Sequence, residues 1–326
     1  MIDTHAIFNI QSEQAFSDLA LEIFKFQFEN NKVYRSFCDL LYVHPSDVKA
    51  IQNIPFLPIQ FFKSHAVLSS TQAVKETFTS SGTTGSSVSK HMVTDLSWYT
   101  KSYTKGFEYF YGPIEDYTVL GLLPNYLERD GSSLIYMVDD FIKKSNKPSS
   151  GFYLNNLTEL SKTLIALDKK GEKVLLIGVT FALLDLIERQ QFKLQNTIIM
   201  ETGGMKGRRK EIIRNELHEI LCAGLGVSKI HSEYGMTELL SQGYSSGDGV
   251  FDCPPWMKIL ARDTEDALTM VGTNKTGGLN VIDLANYNSC SFIATQDLGK
   301  VNNNGSFEVL GRFDHSDIRG CNLMVM

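Results

Sequence analysis

Between Thr118 and Cys222 the chain repeats one alternation, a short apolar run followed by an amphipathic stretch of helical length. Thr118–Leu123, Lys173–Gly178 and Thr197–Met200 read as strands. Ser132–Lys144, Leu157–Asp168, the segment from Gly178 to Arg189, and Arg209–Cys222 read as helices. Strands joined through helices of this length run parallel, and near-continuous apolar strands are covered on both faces. The pattern therefore predicts an α/β fold of layered parallel or mixed sheets covered by helices. Before it, residues 14–43 carry Phe16, Leu19, Ala20, Ile23, Phe24 and Phe28 at helical spacing, and Pro55 and Pro58 punctuate the aromatic run Phe56–Phe62. After Asp248 short strands dominate: Leu268–Val271, Leu279–Leu284, Phe292–Thr295 and Ser306–Gly311. Their turns are expected at Lys275–Gly278 and Asn302–Gly305. The expected division is an N-terminal helical segment (1–75), an α/β core (76–247) and a small β-rich, barrel-like subdomain with a short tail (248–326).

Charge and cysteine usage narrow the function class. A net charge of -6 gives little counterion release on a phosphate backbone, which argues against a nucleic-acid partner. No basic head precedes an apolar run at the N-terminus, and the apolar stretch 174–187 is too short to span a bilayer. The five cysteines (Cys38, Cys222, Cys253, Cys290 and Cys321) form no CxxC pair. Scattered single thiols fit neither a disulfide framework nor a zinc site, and the expected compartment is the cytoplasm.

The first chemical signal is Thr79-Ser80-Ser81-Gly82-Thr83-Thr84-Gly85-Ser86-Ser87. Glycines let the backbone approach a ligand and gather its N–H groups, and hydroxyls add donors with little bulk, a combination suited to phosphate oxygens. The spacing is not that of a Walker A loop, and the same composition also suits a flexible linker.

With SSGTTG at 80–85 stand, in order, ETGG at 201–204, SEYGMTE at 232–238, TQDLG at 295–299 and GRFDHSD at 311–317. Together these resemble the ordered motifs of the adenylate-forming superfamily (acyl-CoA and aryl-CoA synthetases, luciferases, adenylation domains). Within it the likeness is greatest to the acyl-protein synthetase of the bacterial bioluminescence fatty-acid reductase, then to phenylacetate-CoA ligases. The resemblance implies a layered α/β domain with a distorted β-barrel. It also implies residue roles. Ser80, Ser81, Gly82, Thr83, Thr84 and Gly85 would wrap the β- and γ-phosphates of ATP. Gly203 and Gly204 would border the adenine, and Tyr234, followed by Gly235, would stack on it. Thr237 would touch the α-phosphate, Glu238 would hold Mg2+, Asp297 would accept from the ribose hydroxyls, and Arg312 would reach ribose or phosphate. Plain structural roles stand beside these: Tyr234 as a core aromatic, Glu238 as a solvated helix residue, Asp297 as a turn residue.

The sequence departs from the family pattern in two places. The usual Pro-Lys after the phosphate loop reads Ser87-Val88-Ser89-Lys90, and the chain stops soon after Asp314, where relatives continue into a lid carrying a lysine. Lys206, Arg208 and Arg209 are candidates for the missing positive charge. Cys321, two residues after Arg319, matches by resemblance the acyl-accepting cysteine of the bioluminescence synthetase. The expected activity is ATP-dependent activation of a fatty or aryl acid to an acyl-adenylate, then acyl transfer to a thiol: Cys321, a carrier protein or coenzyme A. An acyl-reductase or acyl-transferase is the expected protein partner. Two other readings remain, an acyl- or aryl-CoA ligase that borrows a lid from a partner, and a catalytically silent nucleotide-binding protein. The apolar segment Thr180–Ile187 is the expected wall of an acyl pocket, or simply core.

Overall fold

The computed structural model describes residues 2–80, 88–123, 131–203 and 212–313. The chain forms two compact units: residues 1–71 with 255–326, and residues 72–254. The first unit opens with helices α1 (Thr4–Ile7), α2 (Glu13–Asn30) and α3 (Lys32–Leu40), strand β1 (Leu57–Pro58) and helix α4 (Phe61–Ser64). The second runs β2 (Glu76–Thr79), β3 (Lys90–Val93), α5 (Leu96–Tyr111), β4 (Thr118–Leu122), α6 (Ser133–Ser145), β5 (Gly151–Phe152) and α7 (Leu157–Lys169). It continues with β6 (Val174–Gly178), α8 (Thr180–Arg189), β7 (Thr197–Thr202), α9 (Arg214–Leu225), β8 (His231–Tyr234), β9 (Gly243–Ser245) and β10 (Val250–Asp252). The chain then returns to the first unit with β11 (Met257–Arg262), β12 (Thr276–Asp283), β13 (Phe292–Val301) and β14 (Phe307–Arg312).

In the second unit strands β5-β4-β6-β7-β8 lie side by side and parallel, and β9 and β10 follow antiparallel. β4 and β6 are buried at every position, as expected of parallel strands sandwiched between helices. α8 is buried along most of its length. A Cβ on Gly224 of α9 would meet Ile187 of α8 at 2.7 Å, so the glycine lets these two helices close on each other. The segment Thr180–Ile187 is thus a core helix. Helix α9 begins at Arg214 rather than at Arg209, because Ile213 is extended (ψ 146°). It ends at Gly226 with φ +69°, where a Cβ would lie 2.5 Å from the Phe192 carbonyl oxygen. Gly226→Ala therefore combines left-handed strain with a backbone clash and is expected to cost about 1–3 kcal/mol. An unchanged urea midpoint would contradict this.

In the first unit β11-β12-β13-β14 form an antiparallel sheet, with β1 parallel to β13. The apolar face of α2, set by Phe16, Leu19, Ala20, Ile23, Phe24 and Phe28, is buried as the spacing predicts. Phe24, Tyr34 and Phe56 surround Phe292 of β13 at ring separations of 6.1–6.2 Å. Beside them lies a buried polar lock. Gln27 donates to the carbonyls of Asn286 and Tyr287 and accepts from the Ser291 N–H, while Asn31 donates to the Ser289 carbonyl at 2.9 Å.

Two sequence expectations are corrected here. Leu268–Val271 forms no strand, only a single bridge of Met270 to Arg262, because Asp263 and Asp266 tie their own neighbouring N–H groups into turns and Leu268 is exposed. Thr276–Gly278 is not a turn but the start of β12. The reversal comes earlier, at Asn274 with φ 60°. Gly277 serves close approach instead, since a Cβ there would sit 2.3 Å from the Arg262 carbonyl oxygen.

Candidate active site

In the second unit the chain places β5 on one side of β4 and β6 on the other, so the winding reverses beside β4. Ligands of open parallel sheets bind beyond the carboxyl ends of strands near such a reversal. ETGG leaves the carboxyl end of β7 and SEYGMTE spans β8 and the turn beyond it, so both motifs meet at that edge. Their register is Glu201 opposite Ser232 and Thr202 opposite Glu233.

Glu201 is buried and surrounded: Ser232 Oγ donates to Oε1 at 2.9 Å, and Arg214 Nε and His218 Nε2 stand 3.8 and 3.7 Å away. Thr180, at the start of α8, donates to the Gly203 carbonyl at 2.7 Å and so fixes the turn after β7, where Gly203 has φ +67°. Tyr234 is buried, its ring edge-on to Phe251 at 6.0 Å, with the Arg214 guanidinium over the far ring at 5.1 Å. Thr202 Oγ1 donates to Glu233 Oε2 at 2.6 Å, and a Cβ on Gly235 would meet Glu233 Oε1 at 2.3 Å. Burial pushes the Glu233 carboxyl up to about 7, the Thr202 hydrogen bond opposes the rise and the Glu201 charge adds to it.

The turn continues to Thr237 and Glu238. Glu238 is 4% exposed, so it is not a solvated helix residue. His91 of β3 bonds the Thr237 carbonyl through Nδ1 at 2.8 Å. A carbonyl only accepts, so Nδ1 carries the proton. At the base of the Ser/Thr/Gly loop the Ser80 N–H donates to the Ser89 carbonyl at 3.2 Å, and Ser80 Oγ accepts from the Ser89 N–H at 3.0 Å. The strand leaving the loop is thereby tied to the motif carrying Thr237. Lys90 is exposed on that strand.

In the first unit Asp297 lies in β13 opposite Arg312 of β14, with Arg312 Nε 3.3 Å from its Oδ1. Asp297 is 7% exposed and Arg312 much more open. Arg262 is buried beneath, donating to the carbonyls of Leu279 and Thr295 and to Asn280 Oδ1. Burial lowers its pKa and the Asp297 charge holds it up. The carboxylate thus pairs with the exposed Arg312 guanidinium and feels the charge of the buried Arg262. Ser81, Gly82, Thr83, Thr84, Gly85, Gly204, Lys206, Arg208, Arg209 and Cys321 lie outside the described residues.

The family model for Acyl-protein synthetase, LuxE matches residues 3–326. The chain belongs to the LuxE acyl-protein synthetase family. That makes it an adenylate-forming ligase. It is 22% identical over 336 residues to the long-chain-fatty-acid–luciferin-component ligase of Vibrio harveyi, covering 96% of this chain and 88% of that one. Its fold is shared by solved structures of the adenylate-forming superfamily. The 2-hydroxyisobutyryl-CoA ligase captured with 2-HIB-AMP and CoA has a TM-score of 0.65 at 12% identity, over 94% of this chain and 77% of that one. ATP-bound MatB from Rhodopseudomonas palustris has a TM-score of 0.55 at 17% identity, over 74% and 49%. The chain thus spans about half the length of MatB.

In this chain of the LuxE family the motifs name candidate residues but not the groups that hold them. His91 and Arg262 lie outside every motif, and Glu233, though inside SEYGMTE, acts as they do through a partner distant in sequence. His231 bonds the Tyr111 hydroxyl at 3.2 Å, and burial, with Lys229 nearby, pulls it down to about 4. It is a neutral, satisfied histidine at neutral pH. Among the described residues no group of three His, Cys, Asp or Glu could hold a metal ion, and no helix is long and apolar enough to cross a membrane.

Proposed function

We propose that the protein activates a fatty or aryl carboxylic acid with ATP and passes the acyl group to a thiol. The carboxylate oxygen attacks the α-phosphorus, the bond to the β-phosphate oxygen breaks, and pyrophosphate leaves. A thiolate then attacks the carbonyl carbon of the mixed anhydride and AMP departs, the thiol proton going to solvent. The observation that carries this reading is the meeting of the ETGG and SEYGMTE motifs at the carboxyl edge of β7 and β8 in a chain of this family.

In this proposal Tyr234 and the Gly203 and Gly204 turn take the adenine, with Gly235 allowing close approach, and Thr237 donates to the α-phosphate. Ser80, Ser81, Gly82, Thr83, Thr84 and Gly85 receive the terminal phosphates. Asp297 accepts from the ribose hydroxyls, and Arg312 orients it and stays open to the nucleotide. Glu238 fits Mg2+, which takes few protein carboxylates when phosphates supply its other oxygens, and the ion would neutralise phosphate charge. Lys206, Arg208 or Arg209 supplies further positive charge as the α-phosphate becomes five-coordinate.

The resemblance favours Cys321 as acceptor, and burial disfavours every other thiol except the part-exposed Cys253. Cys38 and Cys290 are fully buried, and burial is the first cause pushing both thiols up, Cys38 to about 12, so neither forms a thiolate near neutrality. Burial also raises the half-buried Cys222. Pyrophosphate exchange across a panel of fatty and aromatic acids tests the first step. With labelled acid, wild type is expected to retain a hydroxylamine-labile label and C321A to lose at least about nine-tenths of it. Iodoacetamide at pH 8 should leave Cys38 and Cys290 unmodified in the native protein. Full labelling of C321A would refute the acceptor, and absent exchange with every acid would refute the activity. An acyl- or aryl-acyltransferase or reductase that accepts the thioester is the partner class this chemistry implies.

A further inference from the structure

One carboxyl group at this edge has no part in the scheme above. Glu233 alternates along β8 with Ser232 and Tyr234, and its side chain spans two turns. Oε2 is held by Thr202, the last residue of β7 before Gly203, and Oε1 lies over the bare Cα of Gly235. No described residue donates to Oε1. The carboxyl is therefore a strut between the turn after β7 and the turn leading to Thr237 and Glu238.

We propose that Glu233 is a positioning residue that holds these two turns in register for the nucleotide and takes up a proton when the nucleotide binds. The inference rests on the adenylating reading of this edge. A polyanion arriving there disfavours a second negative charge, and a neutral carboxyl can both receive the Thr202 hydroxyl and donate from Oε1. The groups around Glu233 point the same way. From β7 the Glu201 carboxylate repels a charge on it. From β9 the buried Tyr244 phenol, opposite it in register, stays neutral and offers no countercharge. On its own strand His231 is neutral and turned to Tyr111 of α5, and the α9 side chains of Arg214 and His218 are directed at Glu201. Among the described residues nothing cationic holds Glu233 charged. Its proton comes off near neutrality in the free protein, at about 7.

The sign follows from linkage. A group whose pKa rises on binding takes up protons, so affinity is highest below its free pKa and falls as pH passes upward through it. Calorimetric titration with MgATP at pH 6, 7 and 8, in buffers of different ionisation enthalpy, reads both affinity and protons. Wild type should lose several-fold to about ten-fold more affinity between pH 6 and 8 than E233Q, with the excess proton uptake confined to wild type. E233Q, a neutral isostere, is expected to bind at pH 8 more tightly than wild type, and E233A to bind weakly at every pH because the strut is gone. T202V removes the hydrogen bond that favours the charged form and should move the wild-type midpoint upward. Equal pH slopes in wild type and E233Q, or a midpoint unmoved in T202V, would overturn the proposal. No MgATP binding by wild type at any pH would instead overturn the adenylating reading beneath it.

Discussion

Glu238→Gln is expected to lower ATP–pyrophosphate exchange by at least about 10²-fold while the protein melts within a few degrees of wild type. The carboxylate is 4% exposed at the end of a turn whose preceding carbonyl is clamped by the His91 ring. In the proposed function this buried carboxylate meets Mg2+, and the amide keeps shape and hydrogen bonds but not charge. The loss should appear in turnover at saturating MgATP, and raising Mg2+ should recover only part of it. Exchange within a factor of about three of wild type would remove Glu238 from the proposed machinery.

Arg262→Ala is expected to destabilise the first unit by about 3–5 kcal/mol, read from chemical denaturation. Arg262 is 8% exposed, and its guanidinium holds two strands through the Leu279 and Thr295 carbonyls and Asn280. Gly278 is bare beneath it, a Cβ there lying 2.7 Å from Cζ, so the group is packed as well as bonded. Its removal takes a positive charge from beside the buried Asp297 and orphans buried acceptors. Arg262→Lys should recover only part of the loss, because an ammonium cannot reproduce the planar fork. A variant as stable as wild type would show that Asp297 does not depend on it.

The sequence read best where one period acts over many residues. The 3.6-residue spacing of α2 and the apolar runs of β4 and β6 are set by burial of a whole face, and each appears in the structure where it was expected. β11 was missed because Met257–Arg262 mixes Lys258 and Arg262 into its run, and Arg262 is buried only through acceptors on β12 and β13. Of the site, residues inside ordered motifs were legible. Glu233 lies inside such a motif, yet its meaning depends on Thr202, 31 positions earlier, and His91 acts 146 positions away. Pairings of that range are invisible to local pattern.

The lock of Gln27 and Asn31 onto residues 286–291 also bears on how the chain is made. The Asn31 side chain waits for a carbonyl 258 residues downstream. At ordinary ribosomal speed that interval lasts on the order of tens of seconds, with the buried amides of Gln27 and Asn31 and the apolar face of α2 still lacking their final companions. Residues 72–254, contiguous in the chain, have no such delay and are free to fold while translation continues. The nascent amino-terminal helices are therefore the stretch most in need of a chaperone's shelter.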